Sequence, residues 1–280
     1  MMKILISGFG SAGQVHGYNI GYLGGFDVEA FDPKHPPMDI NYEEFDGFII
    51  ASPTGTHLQY LQKLAIYKKP ILCEKPIVSD QVPLNRLLEL QESNPHIYVA
   101  YQMRYLKKIQ QLKEAIQCWA FEEIFEITVK YGFDIRRWHS TDHPYLDRHG
   151  ILLEASHELD YLLFVFGRLE FIQGLLVHRQ DFGDAESEAF LRLNISNGII
   201  NVSLNYVQPF YERFIRIIGE KGTWQIELTR EDIAEARMEM MQDFLGVVTG
   251  KPSKQLSTVN DSIKILKLIQ QAKKFSKVVL

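Results

Sequence analysis

The sequence predicts an α/β chain of two domains, the first built on a parallel sheet and the second, an α+β domain, on a large and mostly antiparallel open sheet. Three observations carry this. A glycine fingerprint, Gly8-Phe-Gly-Ser-Ala-Gly13, follows a short apolar run at the start of the chain. Short apolar runs then alternate with helix-like stretches as far as residue 117, the pattern of strands joined by crossover helices. Beyond that point come strand-like segments separated by turn signals, Asn197-Gly198 and Glu220-Lys221-Gly222 among them, which read as antiparallel pairing. The domains are expected at 1–118 and 119–280.

The first strand is Lys3–Ser7, and a helix over Ser11–Leu23 is closed by Gly24-Gly25. A glycine loop between strand and helix is the context a dinucleotide-binding (Rossmann) fingerprint requires. Gly8 permits the tight turn, Gly10 lets backbone approach a pyrophosphate, and Gly13 lets the helix pack closely on the sheet. Phe9, Ser11 and Ala12 complete the loop, and the helix start offers unpaired N–H groups to the phosphates. Val28–Asp32 is the second strand. Asp32 lies nineteen residues after Gly13, where a carboxylate accepts bonds from the adenosine ribose and repels a 2′-phosphate. NAD is therefore expected, with NADP possible because Lys34 and His35 follow closely.

Asp46–Ser52 is the third strand. Only residues 33–45 separate it from Asp32, and they include Pro33, Pro36 and Pro37. A parallel crossover needs a dozen or more residues with its helix, so the second crossover helix is expected to be missing or vestigial. Pro53-Thr-Gly-Thr-His57 opens the next helix with Thr54 or Thr56 as N-cap. Ser52, Pro53, Thr54 and His57 are candidates for cofactor contact. Pro70–Glu74 is a fourth strand leading into Lys75-Pro76, at a strand end where open α/β sheets bind ligands. A helix over Pro83–Glu92, a strand over Ile97–Tyr101 and a helix over Leu106–Gln117 follow.

In the second half, Glu123–Tyr131 alternates as a strand. The irregular stretch 132–150 carries Arg136, Arg137 and Trp138, suited to an anionic or sugar ligand through ion pairing and ring stacking. It also holds His139, Asp142, His143, Asp147 and His149, whose spacing matches no zinc signature, so no metal is expected. Ile151–Phe166 reads as one helix in which Glu154, His157 and Asp160 recur at a spacing of three and share a face. Strands are expected over Leu169–His178, Ala185–Ile195, Gly198–Tyr206, Glu212–Gly219 and Gly222–Leu228, and helices over Ala234–Val248 and Val259–Lys274.

Bulk properties narrow the class. A chain of 280 residues with 46% hydrophobic and 23% charged content suits a globular protein of two cores. The net charge of −5 argues against a nucleic-acid binder. Cys73 and Cys118 form no metal or redox motif, no apolar run reaches the roughly 20 residues of a membrane span, and Met1 leads straight into a strand. A cytoplasmic location is expected.

The glycine loop, Pro53-Thr-Gly-Thr-His57, Glu74-Lys75-Pro76, Tyr101-Gln-Met-Arg-Tyr105 and Glu154-Ala-Ser-His-Glu-Leu-Asp160 occur in that order. Together they resemble the Gfo/Idh/MocA oxidoreductases. The detail of Tyr101–Arg104 and Ser156–Tyr161 looks like members associated with bacterial surface-polysaccharide biosynthesis. The resemblance implies an NAD(P)-dependent enzyme that moves hydride between nicotinamide and a secondary alcohol of a sugar, sugar acid or nucleotide-sugar. It implies Lys75 and His157 as the catalytic pair, Glu74, Lys75 and Gln102 near the cofactor, and Lys75, Arg104, Glu154, His157 and Asp160 near substrate. It also implies metal independence and a homodimer or homotetramer formed through the second-domain sheet. One departure stands out: many members carry an aspartate four residues before the histidine, and here that position is Leu153, with Glu154 or Asp160 as the available substitutes. Two other readings stay open. One is an enzyme with tightly held NAD that recycles hydride internally, as an epimerase, lyase or glycosidase would; the other is a non-catalytic NAD or sugar sensor.

Overall fold

The computed structural model describes residues 1–32, 34, 39–118, 120–137, 150–196 and 198–279. In chain order the first half contains β1 (Met2–Ser7), α1 (Ser11–Leu23), β2 (Phe26–Phe31), β3 (Gly47–Ile50), α2 (Thr54–Ala65), β4 (Ile71–Cys73), α3 (Leu84–Ser93), β5 (Ile97–Val99) and α4 (Lys107–Gln117). The second half contains β6 (Ile124–Asp134), α5 (Ile151–Glu154), α6 (Ser156–Phe166), β7 (Glu170–Val177), β8 (Glu188–Ile195), β9 (Gly198–Asn205), β10 (Val207–Gly219), β11 (Gly222–Glu227), α7 (Arg230–Val248), β12 (Ser257–Thr258), α8 (Val259–Phe275) and β13 (Lys277–Val279).

These elements form two compact units, Met1–Tyr105 with Ala234–Lys264, and Leu106–Ile233 with Ile265–Leu280. The division differs from the expected 1–118 and 119–280 in two ways. The helix α4 belongs to the second unit, where it packs against α6 and buries Ile109 and Leu112. The stretch 234–264 returns to the first unit, where β12 pairs antiparallel with β5. A short edge strand and one helix face are tertiary choices that local pattern does not specify.

In the first unit the sheet runs β12-β5-β4-β3-β1-β2, parallel apart from β12. Its inner strands β3 and β4 are continuous apolar runs because both faces are covered; Ile4 and Ile6 of β1, with Phe48, Ile49, Ile50 and Leu72, are fully buried. In the link from β2 to β3 the described residues form only a 3-10 turn at Tyr42–Glu44; Pro33, His35, Pro36 and Pro37 lie outside the described residues. Phe48 is covered instead by an aromatic cluster of Tyr42, Phe45 and Tyr67, with the Lys63 ammonium 4.6 Å over the Tyr42 ring. Asp243 of α7, buried, accepts a 2.6 Å bond from the Tyr105 hydroxyl and bonds from the Lys254 and Gln255 amides.

The seven-stranded sheet of the second unit has the order β11-β10-β6-β9-β8-β7-β13. Pairing is antiparallel except between β6 and β9 and between β7 and β13. One face carries the core, with Ile127, Val129, Leu193, Ile200, Leu204 and Ile215 buried, and α5 packs against β8 and β9. The strands β6 and β10 run three and five residues past their expected limits, Tyr131 and Glu212, and a bulge between Val207 and Glu212 keeps them paired. Two capping boxes start the last helices: Thr229 and Asp232 exchange side-chain and backbone bonds, as do Thr258 and Asp261. The first explains why α7 begins at Arg230 rather than at Ala234.

Candidate active site

At the carboxyl ends of β1, β3 and β4 the first unit assembles the glycine loop, Ser52 and Glu74-Lys75-Pro76. Gly8 has φ +103°, and a Cβ there would lie 2.5 Å from the Ala51 and Ser52 backbone. A Cβ on Gly13 would lie 2.0 Å from the Gly8 carbonyl oxygen, whereas one on Gly10 would meet nothing within 4 Å. Two of the three glycines are thus demanded by packing, and the third leaves open space. The N-cap of α1 is Gly10, and no side chain caps it. The donors of its first turn are available to an anion, as a pyrophosphate cradle requires. Phe9 is half-exposed beside it, and Ser11 is exposed. Asp32 is exposed just after β2, with Oδ1 accepting a 2.9 Å bond from the Lys34 amide. The described residues fit a bound dinucleotide.

Glu74 lies at the end of β4 between two basic groups. Its Oε1 is 2.7 Å from Nε2 of the buried His16 on α1, and its Oε2 accepts from the Lys75 amide at 3.2 Å. Burial pushes this carboxyl upward, but the His16 bond and the nearby His16 and Lys75 charges outweigh it, leaving the pKa below its ordinary value of 4.5. Lys75 is half-buried and precedes a cis Pro76. His57 is 1% exposed, with Nε2 2.7 Å from the Ser52 carbonyl and Nδ1 3.0 Å from the Pro76 carbonyl. Burial sets its pKa below the ordinary histidine value, against the opposing pull of the two carbonyls and Glu74.

Neither Thr54 nor Thr56 caps α2. Pro53 is the N-cap, and the Thr56 hydroxyl instead bonds the Pro53 carbonyl at 2.8 Å and the Ser52 hydroxyl at 2.7 Å. Proline's restricted backbone starts the helix without a side-chain acceptor. Gln102 is buried in a 3-10 turn, and Arg104, 5% exposed, pairs with Asp261 at 3.2 Å. That ion pair joins the turn to the first turn of α8 and engages an arginine expected to meet substrate.

In the second unit the expected single helix is two. Ala155, with φ −84° and ψ 19°, interrupts it between α5 and α6. Glu154, half-buried, therefore ends one helix, while His157 and Asp160 stay on the other, so the three do not form one continuous stripe. Two anchors account for the break. The buried Glu186 ties down the start of α5, accepting from the Ile151 amide through its carbonyl at 3.0 Å and from the Leu152 amide through Oε1 at 3.2 Å. At the first turn of α6, Glu158 takes a 2.5 Å bond from Nε of Arg213 on β10, with both side chains buried. Each helix start is thus held to a different part of the sheet domain.

The Arg213 guanidinium also stacks 4.5 Å from the Tyr131 ring. Burial opposes its charge, but Glu158 reverses that and raises its pKa, so the guanidinium stays charged. Burial pushes the phenols of Tyr131, Tyr161 and Tyr206 well upward, so they remain neutral. His157 is 8% exposed, and Leu153 and Asp160 are buried. Arg136 is spoken for within its own unit, bonded to Asp134 at 2.9 Å and to Asp181 at 3.3 Å. The Arg137 side chain, Trp138, His139, Asp142, His143, Asp147 and His149 lie outside the described residues.

Sequence reading missed His16, Glu158, Arg213 and Glu186. His16 had a signal, lying three residues after Gly13 on the sheet-facing side of α1. The Glu158–Arg213 pair, 55 residues apart, had none.

A family model described as an oxidoreductase family with an NAD-binding Rossmann fold, Gfo/Idh/MocA, matches residues 25–102. The myo-inositol 2-dehydrogenase of Thermotoga maritima is 24% identical over 213 residues, 71% of this chain and 61% of that protein. Over residues 25–102 the chain is similar to the Gfo/Idh/MocA oxidoreductases and carries their NAD-binding Rossmann fold. The D-apiose dehydrogenase of Rhizobium rhizogenes is 26% identical over 193 residues, 64% of this chain and 54% of that protein. In sequence, the chain spans little more than half the length of these curated relatives. The crystal structure of scyllo-inositol dehydrogenase from Lactobacillus casei, with bound NAD(H) and scyllo-inositol, has a TM-score of 0.77 with 98% of this chain and 96% of that chain covered, at 15% identity. The two chains therefore share a fold although their side chains have diverged. The family match takes in Asp32, Ser52, His57, Glu74 and Lys75, and begins after the glycine loop.

Proposed function

We propose that the chain is an NAD-dependent dehydrogenase acting on a secondary alcohol of a sugar or polyol. The observation that carries this is the meeting, at the carboxyl ends of β1, β3 and β4, of an uncapped glycine-loop helix with Lys75 beside an ionised Glu74. Ligands of open α/β sheets bind at such strand ends. The names of the relatives, inositol and apiose dehydrogenases, support the same substrate chemistry. Asp32, exposed just beyond β2, favours NAD over NADP by repelling a 2′-phosphate.

NAD, when bound, supplies the acceptor for the hydride leaving the carbinol carbon. His157 takes the hydroxyl proton as general base and returns it in the reverse direction. Lys75 donates a hydrogen bond to the reacting oxygen and offsets the charge that develops there. Glu74 keeps a carboxylate next to the lysine and accepts a bond from its backbone amide. Ser52, Pro53, Thr54 and Gln102 are assigned to the cofactor, and Glu154 and Asp160 to the substrate side. The carboxylate partners of Arg104, Arg136 and Arg213 favour an uncharged sugar or polyol over a sugar acid or nucleotide-sugar. We assign the second-unit sheet a further role as the surface of a homodimer or homotetramer.

The test is a panel of inositols, aldoses, sugar acids and nucleotide-sugars, each with NAD or NADP, followed by NADH or NADPH absorbance. Turnover is expected with a neutral polyol or sugar, and Lys75→Ala should lose at least about 100-fold in kcat, as expected when transition-state charge stabilisation is removed, while binding NAD with near-normal affinity. Calorimetric NAD binding without reduced cofactor from any substrate would refute the dehydrogenase reading. Cofactor that co-purifies and recycles without net reduction would replace it with an internal hydride cycle.

A further inference from the structure

We propose that His57 is a positioning residue that sets the place of Lys75, and that it does not itself touch cofactor or substrate; this rests on the catalytic role proposed for Lys75. The ring is 1% exposed, so no ligand reaches it in this arrangement. Both of its nitrogens are directed at backbone carbonyls, Nε2 at Ser52 over 2.7 Å and Nδ1 at Pro76 over 3.0 Å.

These two carbonyls belong to different strand-end segments. Ser52 follows β3 and supports the glycine loop, since the Gly8 Cβ position abuts the Ala51–Ser52 backbone. Pro76 directly follows Lys75. An imidazole is rigid, and a ring seated between two carbonyls, donating to one of them when neutral and to both as imidazolium, fixes the separation of the two segments in a way that a flexible side chain cannot. The remaining polar contacts reinforce the same point: Thr56, one residue earlier on α2, bonds the Ser52 hydroxyl and the Pro53 carbonyl, and Glu74 secures the other side of Lys75 to His16. Lys75 thus sits between two histidine-linked anchors, His16 through a carboxylate and His57 through main chain. A displacement of about 1 Å in a catalytic group can cost roughly 100-fold in rate, enough for a covered residue to govern turnover.

Two variants separate positioning from folding. His57→Phe keeps an aromatic ring but donates no hydrogen bond; His57→Gln supplies an amide donor able to reach a carbonyl. Each is compared with the unmodified protein for thermal midpoint, NAD affinity, kcat and KM. Lys75 is also observed directly by NMR of reductively ¹³C-methylated protein, with its signal assigned from Lys75→Arg. The expected result for His57→Phe is a roughly 10- to 100-fold fall in kcat per folded molecule, NAD affinity within about threefold of normal, and a displaced or broadened Lys75 signal. His57→Gln should restore much of both the rate and the signal. An unmoved Lys75 signal in His57→Phe overturns the proposal, as does a loss of NAD binding in parallel with activity. The NMR readout needs no turnover. A displaced Lys75 signal in a protein inactive on the whole substrate panel would support the brace while refuting the dehydrogenase reading.

Discussion

Glu74 shows how one residue links packing to electrostatics. Its carboxyl is held below the ordinary 4.5 although burial acts upward, because His16 and Lys75 favour the charged form. A carboxyl with a depressed folded-state pKa contributes stability that is fully present above its unfolded pKa. That contribution is lost as pH falls through the folded value. Glu74→Gln should therefore lower the urea midpoint near neutrality, and the gap from the unmodified protein should close as pH drops below about 4.5. A gap that stays constant with pH would show that the pairing with His16 contributes nothing to the folded state. The glycine loop is a steric matter at the same scale: Gly13 is set by a contact of 2.0 Å that any side chain would make. Its position was readable in advance because strand–turn–helix sterics are local.

At the scale of elements, α6 is the clearest case of a tertiary anchor. Its first turn is tied to β10 by the Glu158–Arg213 pair, both members buried. Breaking a buried pair leaves an uncompensated charge and costs about 3–5 kcal/mol, whereas replacing both members with apolar groups is often close to neutral. Arg213→Met is expected to destabilise by that amount in chemical denaturation, and Glu158→Leu with Arg213→Met to recover most of it. If the double variant is as unstable as the single one, the pair fixes the α6 turn through its specific bonds rather than by avoiding a lone charge. The helix over 151–166 read as continuous because apolar periodicity survives a one-residue interruption. The break at Ala155 comes from anchors on Glu186 and Arg213, neither of which a helical window contains.

For the whole molecule, the seven-stranded sheet presents Arg216, Thr128, Asn201 and Arg192 in register across β10, β6, β9 and β8 on the face away from the buried core. If that face joins copies of the chain, light scattering should give a dimer or tetramer mass, and Arg192→Glu with Arg216→Glu should reduce it to that of one chain. A single-chain mass for the unmodified protein would end the proposal. The sequence by itself determined the parallel first half, the glycine loop, Lys75 at a strand end and the mainly antiparallel second half. Each of these depends on short-range sterics and on the period of apolar residues. Only the tertiary structure decided that residues 234–264 return to the first unit, that Glu74 meets His16 across 58 residues of chain, and that Arg104 and Arg213 are engaged by carboxylates. Those pairings follow from the order of strands in a sheet and from which helix faces meet. Spacing along the chain does not carry that information, because a buried charge finds its partner in three dimensions.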